Sequence, residues 1–191
     1  MTTGIRTAPL GSLVLCVCGS SAAVSTGRLV EQAQRYADDV TVAATRTAAA
    51  LFVPELPIRV YTDDDWTSEP LHVTLLQRAH TLVVAPATAT TLAKAAAGIA
   101  DTLVTALILT HGPGVYFQPC MNVRMWTSPA VRRAVETLRA DGHHVLTPAP
   151  GTSRASRTPG SGVGEIPGDV VPTVVAHVMR SLEEGPVRRS A

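Results

Sequence analysis

The sequence predicts an α/β protein: a three-layer, Rossmann-like (flavodoxin-like) open parallel sheet with helices on both faces. Three observations carry this. Short apolar runs alternate with helical patterns along the chain, as βαβ units require. The first run, Leu13–Cys18 (LVLCVC), is almost continuously apolar, as a strand covered on both faces must be. The length, 191 residues with 46% hydrophobic and 16% charged, suits one domain with a large core.

The elements follow in order. After Leu13–Cys18, Gly19-Ser20-Ser21 forms a small-residue turn. Ala22 to Ala37 reads as a helix with Ala23, Leu29, Val30, Ala33 and Tyr36 on its buried side. Val40–Ala44 is a second strand, Thr45 to Phe52 a short helix and Ile58–Tyr61 a third strand. Asp63, Asp64 and Asp65 read as a solvated turn. Leu71–Ala79 is a helix, Thr81–Ala85 a fourth strand, and Ala89–Gly98 a helix stopped by its glycine. Thr102–Leu109 is apolar throughout and fits either a helix or a strand. Gly114–Phe117 is the next strand, Ala130–Asp141 a helix ended near Gly142, His144–Leu146 a short strand and Val171–Leu182 a last helix. Thr147–Gly168 is rich in Pro, Gly and Ser, and is either a mobile clamp over a site or plain disorder. The tail Glu184–Ala191 is expected to fray. The whole chain, 1–191, is read as one domain.

The bulk numbers exclude several classes. A net charge of +1 without a dense basic cluster argues against nucleic acid. The apolar runs are too short to span a membrane, and Met1–Ser12 holds no secretory core, so a cytoplasmic protein is expected. Three cysteines disfavour a disulfide framework. Cys16 and Cys18 share a strand face as small buried residues, and no ligand spacing implies a metal.

Ligands of such sheets bind at the carboxyl ends of the strands. The loops there are Gly19–Ser21, Thr45–Thr47, Pro86–Thr91 and Pro119–Trp126. Gly19-Ser20-Ser21 suits a phosphate at a helix start. It lacks both the dinucleotide fingerprint and a Walker lysine, so a mononucleotide such as FMN fits better than NAD or ATP. Pro86-Ala87-Thr88-Ala89-Thr90-Thr91 lets a flat ring approach the backbone, or simply caps a helix through Thr88. His72 opens a helix after Pro70, where a neutral imidazole suits a general base; an ordinary surface histidine is the other reading. Pro119-Cys120-Met121-Asn122-Val123-Arg124-Met125-Trp126 is a ligand-facing loop or a hydrophobic plug.

Together these segments resemble the homo-oligomeric flavin-containing cysteine decarboxylases. That family includes phosphopantothenoylcysteine decarboxylase and the lantibiotic peptidyl-cysteine decarboxylases of the epidermin type. PCMNVRMW matches the family motif PxMNxxMW at every fixed position, PATATT corresponds to PASANT, and the likeness runs from Val14 to Leu146. The resemblance implies FMN at the interface of a homotrimer, itself open to assembly as a tetramer of trimers. It implies His72 as active-site base and Asn122 as the carboxylate-binding amide, with Met121, Met125 and Trp126 in the substrate pocket. It places Gly19, Ser20, Ser21, Thr45, Phe52, Pro86, Ala87, Thr88 and Thr91 against the flavin. The implied reaction oxidises a C-terminal cysteine to a thioaldehyde, which loses CO2 to give an enethiolate.

Three departures stand out. Thr90 replaces the Asn of PASANT, and Cys120 replaces a small residue. Thr147–Gly168 contains no Cys, whereas phosphopantothenoylcysteine decarboxylases carry one in this flap to reduce the enethiolate. The expected product is therefore the enethiol, on a ribosomally made precursor peptide ending in Cys, within aminovinyl-cysteine formation of lanthipeptide biosynthesis and beside other peptide-modifying enzymes. The alternatives are phosphopantothenoylcysteine decarboxylation in coenzyme A synthesis and a non-catalytic flavin-binding regulatory role.

Overall fold

The structure, a computed structural model, describes residues 7–67, 69–153, 157–164 and 169–184. Its strands are Ser12–Val17 (β1), Asp39–Ala44 (β2), Val60–Tyr61 (β3), Thr81–Ala87 (β4), Tyr116–Pro119 (β5), Met121–Asn122 (β6), His144–Val145 (β7), Pro150–Thr152 (β8) and Pro159–Val163 (β9). Its α-helices are Thr26–Ala33 (α1), Arg46–Leu51 (α2), Leu71–Leu76 (α3), Ala89–Ala96 (α4), Leu103–His111 (α5), Val123–Trp126 (α6), Pro129–Ala140 (α7) and Val170–Glu183 (α8).

Six strands form one parallel sheet in the order β3-β2-β1-β4-β5-β7. This is the doubly wound Rossmann order, and the chain reverses its winding direction between β1 and β4. Alternate residues of the central strands feed two cores. Val14, Cys16, Leu82 and Val84 pack with Leu92, Leu103, Leu107, Val131 and Leu138 of α4, α5 and α7. Leu13, Leu15, Val17 and Val83 pack with Leu29, Val30, Val170 and Val174 of α1 and α8. A strand buried on both faces gains nothing from a polar side, which is why Leu13–Cys18 reads as unbroken apolar sequence. Phe117 is completely buried, and truncating it to alanine costs about 3–5 kcal/mol.

The structure corrects several boundaries. The helix expected over Ala22 to Ala37 divides into a 3-10 turn, Ser21–Ser25, and α1. Thr26 begins the second piece, with its hydroxyl spent on the Ala23 carbonyl at 2.5 Å. Only Val60–Tyr61 of the third strand finds a partner. Thr102–Leu109 resolves as helix α5, whose residues Leu103–Ile108 are all buried; contact on every side removes the periodicity that would have marked it. β4 runs two residues further than expected and takes Pro86 and Ala87 out of the loop. Within 147–168 the described residues carry regular structure: β8 and β9 pair antiparallel, and β9 pairs in turn with β6. The expectation of a frayed tail falls on residues 185–191, outside the described residues. No helix among the described residues is long and apolar enough to cross a membrane.

Histidines gather at the β5–β7 edge. His144 stacks on Tyr116 with ring centroids 4.6 Å apart, and the Tyr116 hydroxyl lies 2.8 Å from His177 Nδ1 of α8. Burial first, then the His177 and His143 charges, hold His144 below its ordinary value of 6.5. Burial also lowers His143. Both shifts favour the neutral ring in the folded state. Their stabilisation is complete above the unfolded value and declines as pH falls below 6.5 towards the lower folded values. Urea midpoints should therefore drop between pH 7.5 and 5, and a His143→Gln/His144→Gln variant should lose part of that slope. Parallel pH profiles for the two proteins would contradict this.

Candidate flavin and substrate cleft

A cleft of about 780 Å³ opens at the carboxyl ends of β1, β2 and β4, beside the switch point. That size suits a small-molecule site. Three capped helix or turn starts face it. Ser20, in extended conformation, caps the turn Ser21–Ser25 by accepting the Ala22 N–H at 3.4 Å. Thr45 caps α2 through the Ala48 N–H at 3.3 Å, and Thr88 caps α4 through the Thr91 N–H at 3.3 Å. The cleft thus gains hydroxyls together with the partial positive charge of helix starts. Gly19 has no room for a side chain, since a Cβ would stand 2.8 Å from the Thr47 methyl.

The hydroxyls are ordered from behind. Thr91 donates to the Cys18 sulfur at 3.2 Å, so at the 3.0 Å Thr88–Thr91 contact Thr88 is the donor. Burial pushes the Cys18 thiol up to about 11, which keeps it neutral beneath the cleft. Among the described residues Lys94 is the one charged residue of the lining, held by Asp101 at 2.6 Å, and none of them brings a carboxylate to the cleft. These hydroxyl and backbone donors, with the Lys94 ammonium beside them, fit a phosphorylated, polyhydroxyl ligand such as FMN.

The segment after β5 forms the opposite wall. The Cys120 N–H donates to the Ala87 carbonyl at 2.9 Å, and the Ser20 hydroxyl donates to the Cys120 sulfur at 3.3 Å. Met121 pairs with Val163 and Asn122 with Gly162 across the β6–β9 ladder. The hairpin thereby adds Gly151, Thr152, Ser153, Gly162 and Val163 to the lining. Asn122 is also the N-cap of α6: its Oδ1 accepts the Arg124 N–H at 2.8 Å. That bond engages the amide oxygen and leaves the Nδ2 group as the donor for a cleft ligand.

Of the residues singled out in the sequence, Gly19, Ser20, Ser21, Thr45, Thr88, Thr91, Met121, Asn122 and Met125 line the cleft together. The rest do not. Pro86 and Ala87 are buried in β4 and shape the cleft through their carbonyls, which accept from Cys18 and Cys120. Phe52 packs into the core layer beneath α1 and α8. Trp126 lines a separate cavity of about 160 Å³ with Arg132, Val135, Glu136 and Arg139. His72 lies on α3, which packs on α5, and is not part of the cleft wall of a single chain. Thr47, within the strand-end loop read from the sequence, lines the cleft, whereas Ser25, Lys94, Thr102 and Thr105 in the lining, and Trp66 against His72, were not foreseen. The T-x-x-T spacing of Thr102 and Thr105, a reciprocal cap of α5, was the one available signal.

A parallel sheet with a hydroxyl-lined mononucleotide cleft at its switch point defines a flavin-binding type of α/β protein. The chain belongs to the flavoprotein family, whose pattern its residues 6–179 match. The cofactor expected from the sequence, FMN, agrees with this membership. The coenzyme A biosynthesis bifunctional protein CoaBC of Mycobacterium tuberculosis is 40% identical over 162 residues. The match covers 81% of this chain, which spans only 38% of the length of that relative. Mersacidin decarboxylase of a Bacillus species is 30% identical over 142 residues, covering 71% of this chain and 73% of the relative. Among solved structures, the FMN-dependent cysteine decarboxylase SpaF superposes with a TM-score of 0.71 at 32% identity, covering 88% of this chain and 97% of SpaF.

Gly164 holds the hairpin against this wall. Its φ is +72°, and a Cβ there would come within 1.8 Å of the Pro119 carbonyl oxygen. Gly164→Ala should therefore lift the hairpin from the motif and cost about 1–3 kcal/mol. Faster proteolysis near residues 153–159 than in the parent protein is the expected readout, and equal rates would show that the contact is not needed.

Proposed function

We propose that the protein catalyses FMN-dependent oxidative decarboxylation of the C-terminal cysteine of a ribosomally made peptide, releasing an enethiol for aminovinyl-cysteine formation. The carrying observation is the hairpin that forms the wall beside Met121 and Asn122, within a segment, 147–168, that contains no cysteine. Saturating the enethiol would need a hydride and a proton, and this segment has no thiol to supply the proton, so the enethiol leaves unreduced.

The residues divide the work. Ser20, Thr45 and Thr88 offer hydroxyls and capped starts to the phosphate and ribityl groups. Asn122 donates its amide N–H to the substrate carboxylate without neutralising it, which leaves the group free to depart as CO2. Met121 and Met125 close on the apolar part of the substrate. His72 takes the proton released when the cysteine is oxidised. FMN held by these hydroxyls would supply the two-electron oxidant that the cysteine side chain requires, with dioxygen as the final electron acceptor. Because His72 lies outside the cleft of its own chain, a complete site calls for a second copy, as in a homotrimer or a tetramer of trimers.

The second reading is phosphopantothenoylcysteine decarboxylation, favoured by the 40% identity to CoaBC. Mixing the protein with Cys-terminated peptides and with phosphopantothenoylcysteine separates the two. Mass spectrometry should show loss of CO2 and two hydrogens from a peptide. A saturated thiol from the pantothenate substrate would select the second reading instead.

His72→Asn and Asn122→Asp should both stay yellow and lose turnover by about 10²-fold or more. Asn122→Asp keeps an oxygen to cap α6, so its thermal midpoint should remain near that of the parent. Full activity in either variant would remove that residue from the mechanism.

A further inference from the structure

We propose that Trp66 is a positioning residue for His72, seated by the three aspartates that precede it; the inference rests on the reading of His72 as a participant in the reaction. The acidic stretch is not a free turn. Asp63 Oδ1 accepts the Leu103 N–H at 2.6 Å, at the start of α5. Asp64 pairs with Arg46 at 2.7 Å. Asp65 pairs with Arg59 at 2.7 Å and accepts the Thr62 N–H at 2.8 Å, closing a reciprocal cap with Thr62. The Trp66 N–H then donates to the Asp63 carbonyl at 3.2 Å, which fixes where the indole leaves the turn.

The indole packs on the α5 side of the sheet, as do Leu71 and Leu75 of α3. Its ring centroid lies 4.9 Å from that of His72, with the planes tilted by 52°. His72 Nδ1 is buried and makes no hydrogen bond among the described residues. Functional histidines are ordinarily oriented by a carbonyl or carboxylate on the ring nitrogen away from the substrate. Here that polar partner is replaced by an aromatic wall. With Nδ1 closed off, Nε2 is the nitrogen through which His72 exchanges a proton. The tilted indole holds the rotamer that presents it. Asp63 ties this seat to α5, whose first turn carries the cleft-lining Thr102 and Thr105. The aspartates thus connect the His72 support to the frame of the cleft.

The test compares Trp66→Ala, Trp66→Leu and Trp66→Phe in the full-length, flavin-loaded protein. Steady-state kinetics is combined with nitrogen NMR of histidine-labelled protein. Trp66→Ala should lower kcat about tenfold or more, leave KM within about threefold and keep its flavin. Its His72 ring signals should shift from a single tautomer to an averaged one. Trp66→Phe should restore both the signals and kcat to within about threefold. Restoration by Trp66→Leu to the same degree would show that bulk alone suffices and overturn the proposal. If no form turns over either substrate while the His72 signals still move in Trp66→Ala, the proposed activity fails and the positioning stands. Unchanged His72 signals in Trp66→Ala overturn the positioning whatever the activity.

Discussion

The parallel pairing of β1 with both β2 and β4 is the constraint on which the rest depends. The register runs from Ser12 opposite Asp39 to Val17 opposite Ala44, and from Leu13 opposite Thr81 to Cys16 opposite Val84. Parallel ladders force every connection to cross a face of the sheet, and helices therefore cover both sides. They also bring the carboxyl ends of all three strands to one edge. Because the chain turns one way after β1 and the other after β4, the loops at those ends separate and leave the cleft between them. Neither wall of the cleft exists without that arrangement.

Neutral hydroxyls rather than charges line most of the cleft, and their supports explain why. Ser20, Thr45 and Thr88 each cap a helix or turn, so each oxygen has a structural task whether or not a ligand is present. Cys18 and Cys120 stand behind Thr91 and Ser20 as weak sulfur partners. A thiol accepts a hydroxyl proton loosely, so those hydroxyls can turn to a bound phosphate or ribityl group at little cost. Cys120, an unexplained departure from the family motif in sequence, thus touches the first strand-end loop and joins the two walls.

Much of the site was legible because its chemistry is local. A small-residue turn after an apolar run, a threonine before a helix, and an Asn one residue after a Met are all short-range patterns. The structure assembles nine of the residues so identified into one cleft. What failed was distance and direction. Trp126 follows Met125 in sequence, yet one more step around α6 turns it to a different cavity. Pro86 and Ala87 read as loop because proline usually ends a strand, but pairing with β5 carried β4 through them. Glycine and proline in 147–168 suggested a structureless loop, whereas β6 offered an edge on which β9 could pair.

The sequence by itself determined the layer architecture, the strand-end loops and the cofactor class. Each of these follows from burial pattern and from residue types that are neighbours along the chain. The tertiary structure alone decided that α5 is a helix, that the Cys-free segment is a hairpin built onto Met121–Asn122, and that three aspartates brace an indole against His72. These depend on contacts between residues far apart in sequence: Asp63 with Leu103, Ser20 with Cys120 and Asn122 with Gly162. Periodicity records which side of an element is buried, but not which other element buries it.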